Sequence, residues 1–168
     1  DLDSTPRTYE FHPLFREFLL ESQQGADPKR LQSLRKSAAE YHLEMGSNEQ
    51  GVNLLLEAGA DSRAAQLAEK FAAEVFESGR VQTLERWAEQ LEHSVARIPN
   101  LMLYVVNAQT DRGNLSEAEA LLEETRKHMG SRASKDLQAR AELAAGHLAY
   151  RRGDFSEAIA AADEVNEL

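Results

Sequence analysis

The feature that most constrains how this chain can fold is a short phrase that occurs twice. The phrase reads RGNLSEA at residues 112–118 and RGDFSEA at residues 152–158. Glycine suits the left-handed residue that closes a helix, and Asn or Asp with Glu three residues later is typical of a capped helix start. We therefore interpret each copy as the end of one helix, a sharp turn and the start of another, with Asn114 and Asp154 as the capping residues.

Two further glycines, together with those of the repeated phrase, place helix ends at regular intervals along the chain. Gly46, Gly79, Gly113 and Gly153 lie 33, 34 and 40 residues apart. Such internal periods indicate stacked helical hairpins, and about 34 residues is the tetratricopeptide period. We predict an all-α, tetratricopeptide-like α-solenoid, wound as a right-handed superhelix. Its four antiparallel helix pairs are expected at about residues 28–58, 61–91, 100–129 and 135–168.

Local signals within the chain support these bounds. Asp27 followed by Pro28 is typical of a helix N-cap and first helical residue, and Pro99 predicts a break between the second and third pairs. Trp87 lies on or beside the apolar face of the second pair, which predicts a core anchor. On the first predicted helix, one apolar face is expected to consist of Leu31, Leu34, Ala38, Tyr41 and Met45.

Composition excludes several classes of function. The 168 residues carry a net charge of −10 and no cysteine, so disulfides and thiolate metal sites are ruled out. Proteins that bind duplex DNA normally present a basic face. Because this chain is acidic, we do not expect it to bind nucleic acid directly. No apolar run approaches the roughly 20 residues that a membrane span needs. We expect a cytoplasmic protein, and we interpret the chain as an excised segment of a longer one, because it lacks an initiator Met and stops within a helical pattern.

The first 25 residues follow a different pattern from the rest. TYEF alternates like a short strand, and HPLFREFLLES follows it like a helix that His12 caps and Pro13 opens. We expect residues 1–25 to be the end of a winged-helix subdomain. Residues 26–98 are then linker hairpins, and residues 99–168 are the start of tetratricopeptide-like sensor repeats.

YEFHPLFREFLLES, at residues 9–22, resembles the segment that closes the ATPase module in MalT-type, LuxR-family transcriptional activators. The similarity continues in order through residues 38–46, 54–72, 78–91 and 98–124, which resemble that family's helical linker and sensor region. The resemblance implies a regulatory and protein-interaction segment that relays the binding of an inducer or regulatory protein to an ATPase module. It also implies that the segment controls self-association of the activator. It implies ATP for the parent protein only, since this sequence contains no GxxxxGK[ST] phosphate loop and is expected to hold no cofactor.

A free-standing tetratricopeptide-like adaptor is the alternative function. It would bind a peptide or a helix on its concave face. A third class, a hydrolase, has no supporting pattern, because nucleophile elbows and glycine-rich phosphate loops are absent from the sequence. We therefore expect no enzymatic activity in this chain.

The expected binding surface is the concave face formed by the first helix of each later pair. By analogy with tetratricopeptide grooves, Asn107 is expected to hydrogen-bond a ligand backbone, and Arg140 or Arg151 to pair with a carboxylate. The full set is Leu103, Asn107, Thr110 and Asp111 from the third pair, with Arg140, Leu143, His147, Tyr150 and Arg151 from the fourth.

Two other groups of residues receive ordinary interpretations. No two histidines have the three- or four-residue spacing of a helical metal site, so we expect polar or capping roles and no metal. They are His12, His42, His93, His128 and His147. The cations Lys29, Arg30, Arg35 and Lys36 could face an acidic partner, but a solvated surface balanced by Glu40 and Glu44 is favoured.

Overall fold

A computed structural model describes residues 12–14, 17–18, 27–93, 98–130 and 133–167, and the regular structure in these ranges is all helical. Eight α-helices are bounded within them. They are α1 Pro28–Glu44, α2 Asn48–Glu57, α3 Asp61–Glu77, α4 Val81–Gln90, α5 Pro99–Arg112, α6 Leu115–Met129, α7 Lys135–Arg152 and α8 Phe155–Glu167. The predicted bounds of the four pairs are confirmed to within one residue. The predicted strand TYEF lies outside the described residues, as does most of the helix expected after it.

Asp27 and Pro99 set the starts of two helices as the sequence predicts. The Asp27 carboxylate accepts hydrogen bonds from the backbone N–H groups of Lys29 at 3.0 Å and Arg30 at 3.2 Å. Pro28 and Pro99 occupy the first helical positions of α1 and α5, where a missing N–H costs nothing. These N-terminal signals therefore act locally, within one turn of the chain.

The repeated phrase forms the same reversal twice, with one correction. Gly113 and Gly153 have φ of 85° and 88°, in the left-handed region that glycine favours. The predicted capping role of Asn114 is wrong. Its backbone N–H reaches the Gln109 carbonyl at 3.0 Å, which brings the two side chains together. The Asn114 amide then donates to Gln109 Oε1 at 2.8 Å and leaves the start of α6 without a side-chain cap.

Each helix packs against the next along the chain, and α5 also packs on both α3 and α7. Trp87 is fully buried in the core formed by α1 to α5, and its Nε1 donates to Asn53 Oδ1 at 2.8 Å, which confirms the predicted anchor. A second core joins α5, α6 and α7. Gly146 lets α7 approach α8, since a Cβ there would lie 3.2 Å from the Cβ of Ala161.

The predicted apolar face of α1 is wrong in part. Leu34, Tyr41 and Met45 are exposed, whereas Leu31 and Ala39 are buried. The helix turns a different side toward α2, where a Cβ on Gly51 would meet the Leu43 side chain. No helix in the described ranges combines the length and the apolar character that a membrane crossing requires.

The described acidic partner of Arg35, in the basic cluster at the start of α1, differs from the predicted partners on the same helix. Arg35 pairs with Glu57 of α2, through Nε to the carboxylate at 3.4 Å and Nη1 to the backbone carbonyl at 3.0 Å. Glu40 instead lies 3.7 Å from Arg63. The predicted partners Glu40 and Glu44 were chosen along one helix, but Arg35 reaches across to the neighbouring one.

Candidate functional site: the groove between α5 and α7

The side-by-side packing of α5 and α7 leaves a groove of about 350 Å³. Two leucines and an alanine give it apolar walls, and amide, carboxylate, phenol and guanidinium groups supply polar positions. Four of the nine sequence-predicted residues lie here, namely Leu103, Asn107, Arg140 and Leu143. The complete lining is Asn100, Leu103, Tyr104, Asn107, Asp136, Ala139, Arg140 and Leu143.

Arg140 is held in a fixed orientation by three neighbours. Its Nε donates to Asp136 Oδ2 at 3.0 Å, one turn earlier on α7. Its Nη1 donates to Tyr104 Oη at 2.8 Å and to Asn100 Oδ1 at 3.3 Å, both on α5. Burial alone would lower the pKa of Arg140, but the contacts with Asp136 and Tyr104 outweigh it and raise that pKa, so the guanidinium stays charged.

Glu69 connects this network to α3. Its Oε1 accepts the N–H of Asn100 at 2.8 Å, and its Oε2 accepts the N–H of Leu101 at 2.9 Å. These are the second and third residues of α5, so a carboxylate from another helix caps α5. Burial raises the pKa of Glu69, and the two backbone hydrogen bonds and the charge of Arg140 oppose that rise only in part.

A second predicted group lies one to two turns further along the same two helices. His147 Nε2 is 3.3 Å from Asp111 Oδ1, and Arg151 Nη1 is 3.7 Å from the same oxygen. Arg151 also donates through Nη2 to the Asp111 backbone carbonyl at 3.1 Å. Asp111, His147 and Arg151 are thus brought together, with both terminal nitrogens of Arg151 turned to Asp111. Arg140 is also bonded within the chain, but it lines the groove and Arg151 does not, so Arg140 is the better candidate to meet a ligand there.

Two further predicted residues belong neither to the groove nor to the group around Asp111. Thr110 is fully buried, and its hydroxyl donates to the Val106 carbonyl at 2.9 Å, because α7 covers that side of α5. Tyr150 is 61% exposed and its ring meets the ring of Phe155 with centroids 5.9 Å apart. It therefore lies against the start of α8 and not in the groove.

The sequence reasoning missed four lining residues, Asn100, Tyr104, Asp136 and Ala139. Asn100, Tyr104 and Asn107 stand four and three residues apart, so one helical face carries all of them. Following the predicted Asn107 one turn and two turns back along that face would have found Tyr104 and Asn100. Asp136 is likewise one turn before Arg140.

The arginine of the repeated phrase has a role that its sequence context did not reveal. Arg152, the last residue of α7, forms a two-pronged contact with Glu119 of α6, in which Nη1 donates to Oε1 at 2.7 Å. Arg112, the last residue of α5, pairs through Nη1 alone with Oε1 of Glu85 on α4. Hydrogen bonds from Arg152 lower the pKa of Glu119. Each copy of the phrase therefore connects its own hairpin to the preceding one.

Of the ionisable side chains lining the groove, Tyr104 and Asp136 both bond Arg140 and so fix its orientation toward the groove. In the described part of the chain, no three metal-binding side chains cluster closely enough to hold an ion. Comparison of the chain with models of known protein families, with curated proteins and with solved structures found no match.

Proposed function

We propose that this chain is a protein-interaction module, a tetratricopeptide-like α-solenoid with a right-handed superhelix, whose groove between α5 and α7 binds an extended peptide segment. The observation that carries the proposal is the meeting of Leu103, Asn107, Arg140 and Leu143 in one groove. The packing of α5 on α3 and of α7 on α5 supports the solenoid, because the first helices of successive repeats line the concave face of such proteins.

The groove offers the contacts that a short peptide requires. Ala139 and Leu143 provide an apolar wall for one side chain, and the buried Leu103 forms the floor beneath them. The Asn107 amide can donate to and accept from a peptide backbone. Among the described residues, Nη2 of Arg140 donates to none, so this nitrogen is available to a ligand carboxylate while Nε and Nη1 hold the guanidinium in place.

A peptide library displayed on phage and selected on this chain tests groove binding. We expect Arg140→Lys to weaken the selected peptides roughly 10- to 100-fold, because lysine keeps the charge but loses the oriented fork. The matched control is Arg126→Lys, which alters an arginine on α6 that pairs with Glu142 outside the groove. Equal effects of the two variants would place the binding elsewhere, and melting temperatures would identify any loss due to misfolding.

The wider role that we propose is that of a sensor and relay segment in a MalT-type, LuxR-family regulator. The ordered resemblance across residues 9–124 supports this role. The same proposal includes ATP as the ligand of the parent protein, an inducer or regulatory protein as partner, and a cytoplasmic location. The free-standing adaptor stands as the alternative because every residue of the groove belongs to this chain.

Sequencing the gene on both sides of this segment separates the two roles. The relay predicts a GxxxxGK[ST] loop encoded before Asp1 and a helix-turn-helix encoded beyond Leu168. A start codon just before Asp1 with a stop codon soon after Leu168 would contradict the relay and leave the adaptor. The groove-binding test is independent of this outcome.

A further inference from the structure

A shift of 40 residues places the α5–α6 hairpin on the α7–α8 hairpin, as the two copies of the repeated phrase show. On the inner hairpin, the face that meets α7 is covered: Leu103 is 2% exposed and Thr110 is 0% exposed. Leu115 is also packed against the core that α7 completes. The chain therefore shows directly what occupies this face, namely an α-helix.

The matching positions on the outer hairpin are uncovered. Leu143, Tyr150, Phe155 and Ile159 are 57%, 61%, 60% and 63% exposed. They correspond to Leu103, Thr110, Leu115 and Glu119 of the inner hairpin. We call these four exposed residues the end face. Two of them, Tyr150 and Phe155, replace smaller side chains, so the end face presents more apolar surface than its inner counterpart.

The most informative change is at the fourth position. On the inner hairpin, Glu119 receives the guanidinium of Arg152, the residue that ends the covering helix. On the end face that acceptor is Ile159, whose side chain cannot pair with a cation. A helix that ended in arginine here would leave the guanidinium facing apolar surface, which is unfavourable.

We propose that the end face binds an amphipathic α-helix, placed along α7 and α8 as α7 is placed along α5 and α6, with an apolar residue where α7 carries Arg152. The matching positions of the inner hairpin already accept a helix, α7, which argues for a helix in preference to an extended strand. A second copy of the chain is disfavoured as occupant, because each copy carries a net charge of −10. Leu143 borders the groove as well, whereas Tyr150, Phe155 and Ile159 lie outside it, so the proposal rests on these three residues and not on peptide binding in the groove.

Two synthetic peptides test the proposal on this 168-residue chain. One has the sequence of α7, Lys135–Arg152, with acetylated and amidated ends, and the other is the same with Arg152→Leu. Fluorescence anisotropy with the labelled peptides, at chain concentrations up to about 1 mM, measures both affinities. We expect the Arg152→Leu peptide to bind about tenfold more tightly, which corresponds to roughly 1.4 kcal/mol.

The variant Ile159→Glu restores the acid of the inner hairpin and should reverse the preference, so that the unsubstituted peptide binds more tightly. Leu34→Glu is the matched control, since it places the same charge on another exposed leucine, on α1, and should change neither affinity. Because Ile159 and Leu34 are both exposed, far-UV circular dichroism should match the parent chain.

Several results would overturn the proposal. These are the absence of saturable binding by either peptide, equal affinity for both, or a preference that Ile159→Glu leaves unchanged. Sedimentation equilibrium adds a further outcome: a dimer abolished by Ile159→Glu would make a second copy the occupant and would contradict the separate helix.

Discussion

Glu69 offers a quantitative test of how the groove is supported. Its carboxylate accepts the backbone N–H groups of Asn100 and Leu101 at 2.8 and 2.9 Å, and so caps α5 from α3. Removing a helix N-cap costs about 0.5–2 kcal/mol, and a partly buried donor left unpaired costs about 1–3 kcal/mol. We therefore expect Glu69→Ala to lower the free energy of unfolding by about 1–3 kcal/mol, measured by urea denaturation at pH 7.

The variant Glu69→Gln separates the cap from the charge. Burial raises the pKa of Glu69 in the folded chain above its ordinary value of 4.5. A raised pKa means that the folded state binds the proton more tightly than the unfolded state. The associated stability is fully present below the unfolded pKa and is lost as pH rises through the folded pKa.

Glutamine resembles the protonated acid and does not titrate. Unfolding free energies of the parent chain and Glu69→Gln, measured in urea from pH 4 to pH 7.5, should therefore diverge in favour of glutamine as pH rises from the ordinary carboxyl range. Glu77→Gln, an exposed change on the same helix, controls for the loss of one negative charge. If the free energy of unfolding of the parent chain instead rises relative to that of Glu69→Gln with rising pH, the hydrogen bonds outweigh burial and the reasoning is refuted.

Two further predictions concern the core and the repeated turn. Trp87→Ala should lower the free energy of unfolding by about 3–5 kcal/mol, because the indole is fully buried and its N–H donates to Asn53. An unchanged melting temperature would contradict the role of Trp87 as a core anchor. Gly113→Ala should destabilise by about 1–2 kcal/mol, since φ is 85° there and a Cβ is penalised in the left-handed region. A Cβ on Gly113 would meet no atom within 4 Å, so the expected cost is conformational, and an unchanged free energy of unfolding in urea would show that Gly113 is not needed for the turn.

The helix bounds were predictable because their signals are local. Asp27 and Pro28 act within one turn, and the left-handed residues Gly113 and Gly153 depend only on the backbone conformation that they adopt. One local signal was overridden. The Asn114 amide has the chemistry of a cap but bonds Gln109, which the reversal places beside it.

The groove was predictable only in part because its lining depends on how separate helices meet. Asn107 and Arg140 were found because each lies on a helix face that the repeat period assigns to the concave side. The hydrogen bond by which Glu69 caps α5 at Asn100 joins residues 31 apart in the chain, so no local sequence pattern predicts it. Thr110 was misplaced for the same reason, since its burial depends on where α7 crosses α5.

The central claim, that the groove between α5 and α7 is a binding surface, is tested most directly by nuclear magnetic resonance. A peptide selected on the chain would be titrated into ¹⁵N-labelled protein with assigned backbone and side-chain amides. We expect the largest shifts at Asn100, Asn107 and the Arg140 side chain. Shifts concentrated on α1 or on the end face, with these three groups unmoved, would contradict it.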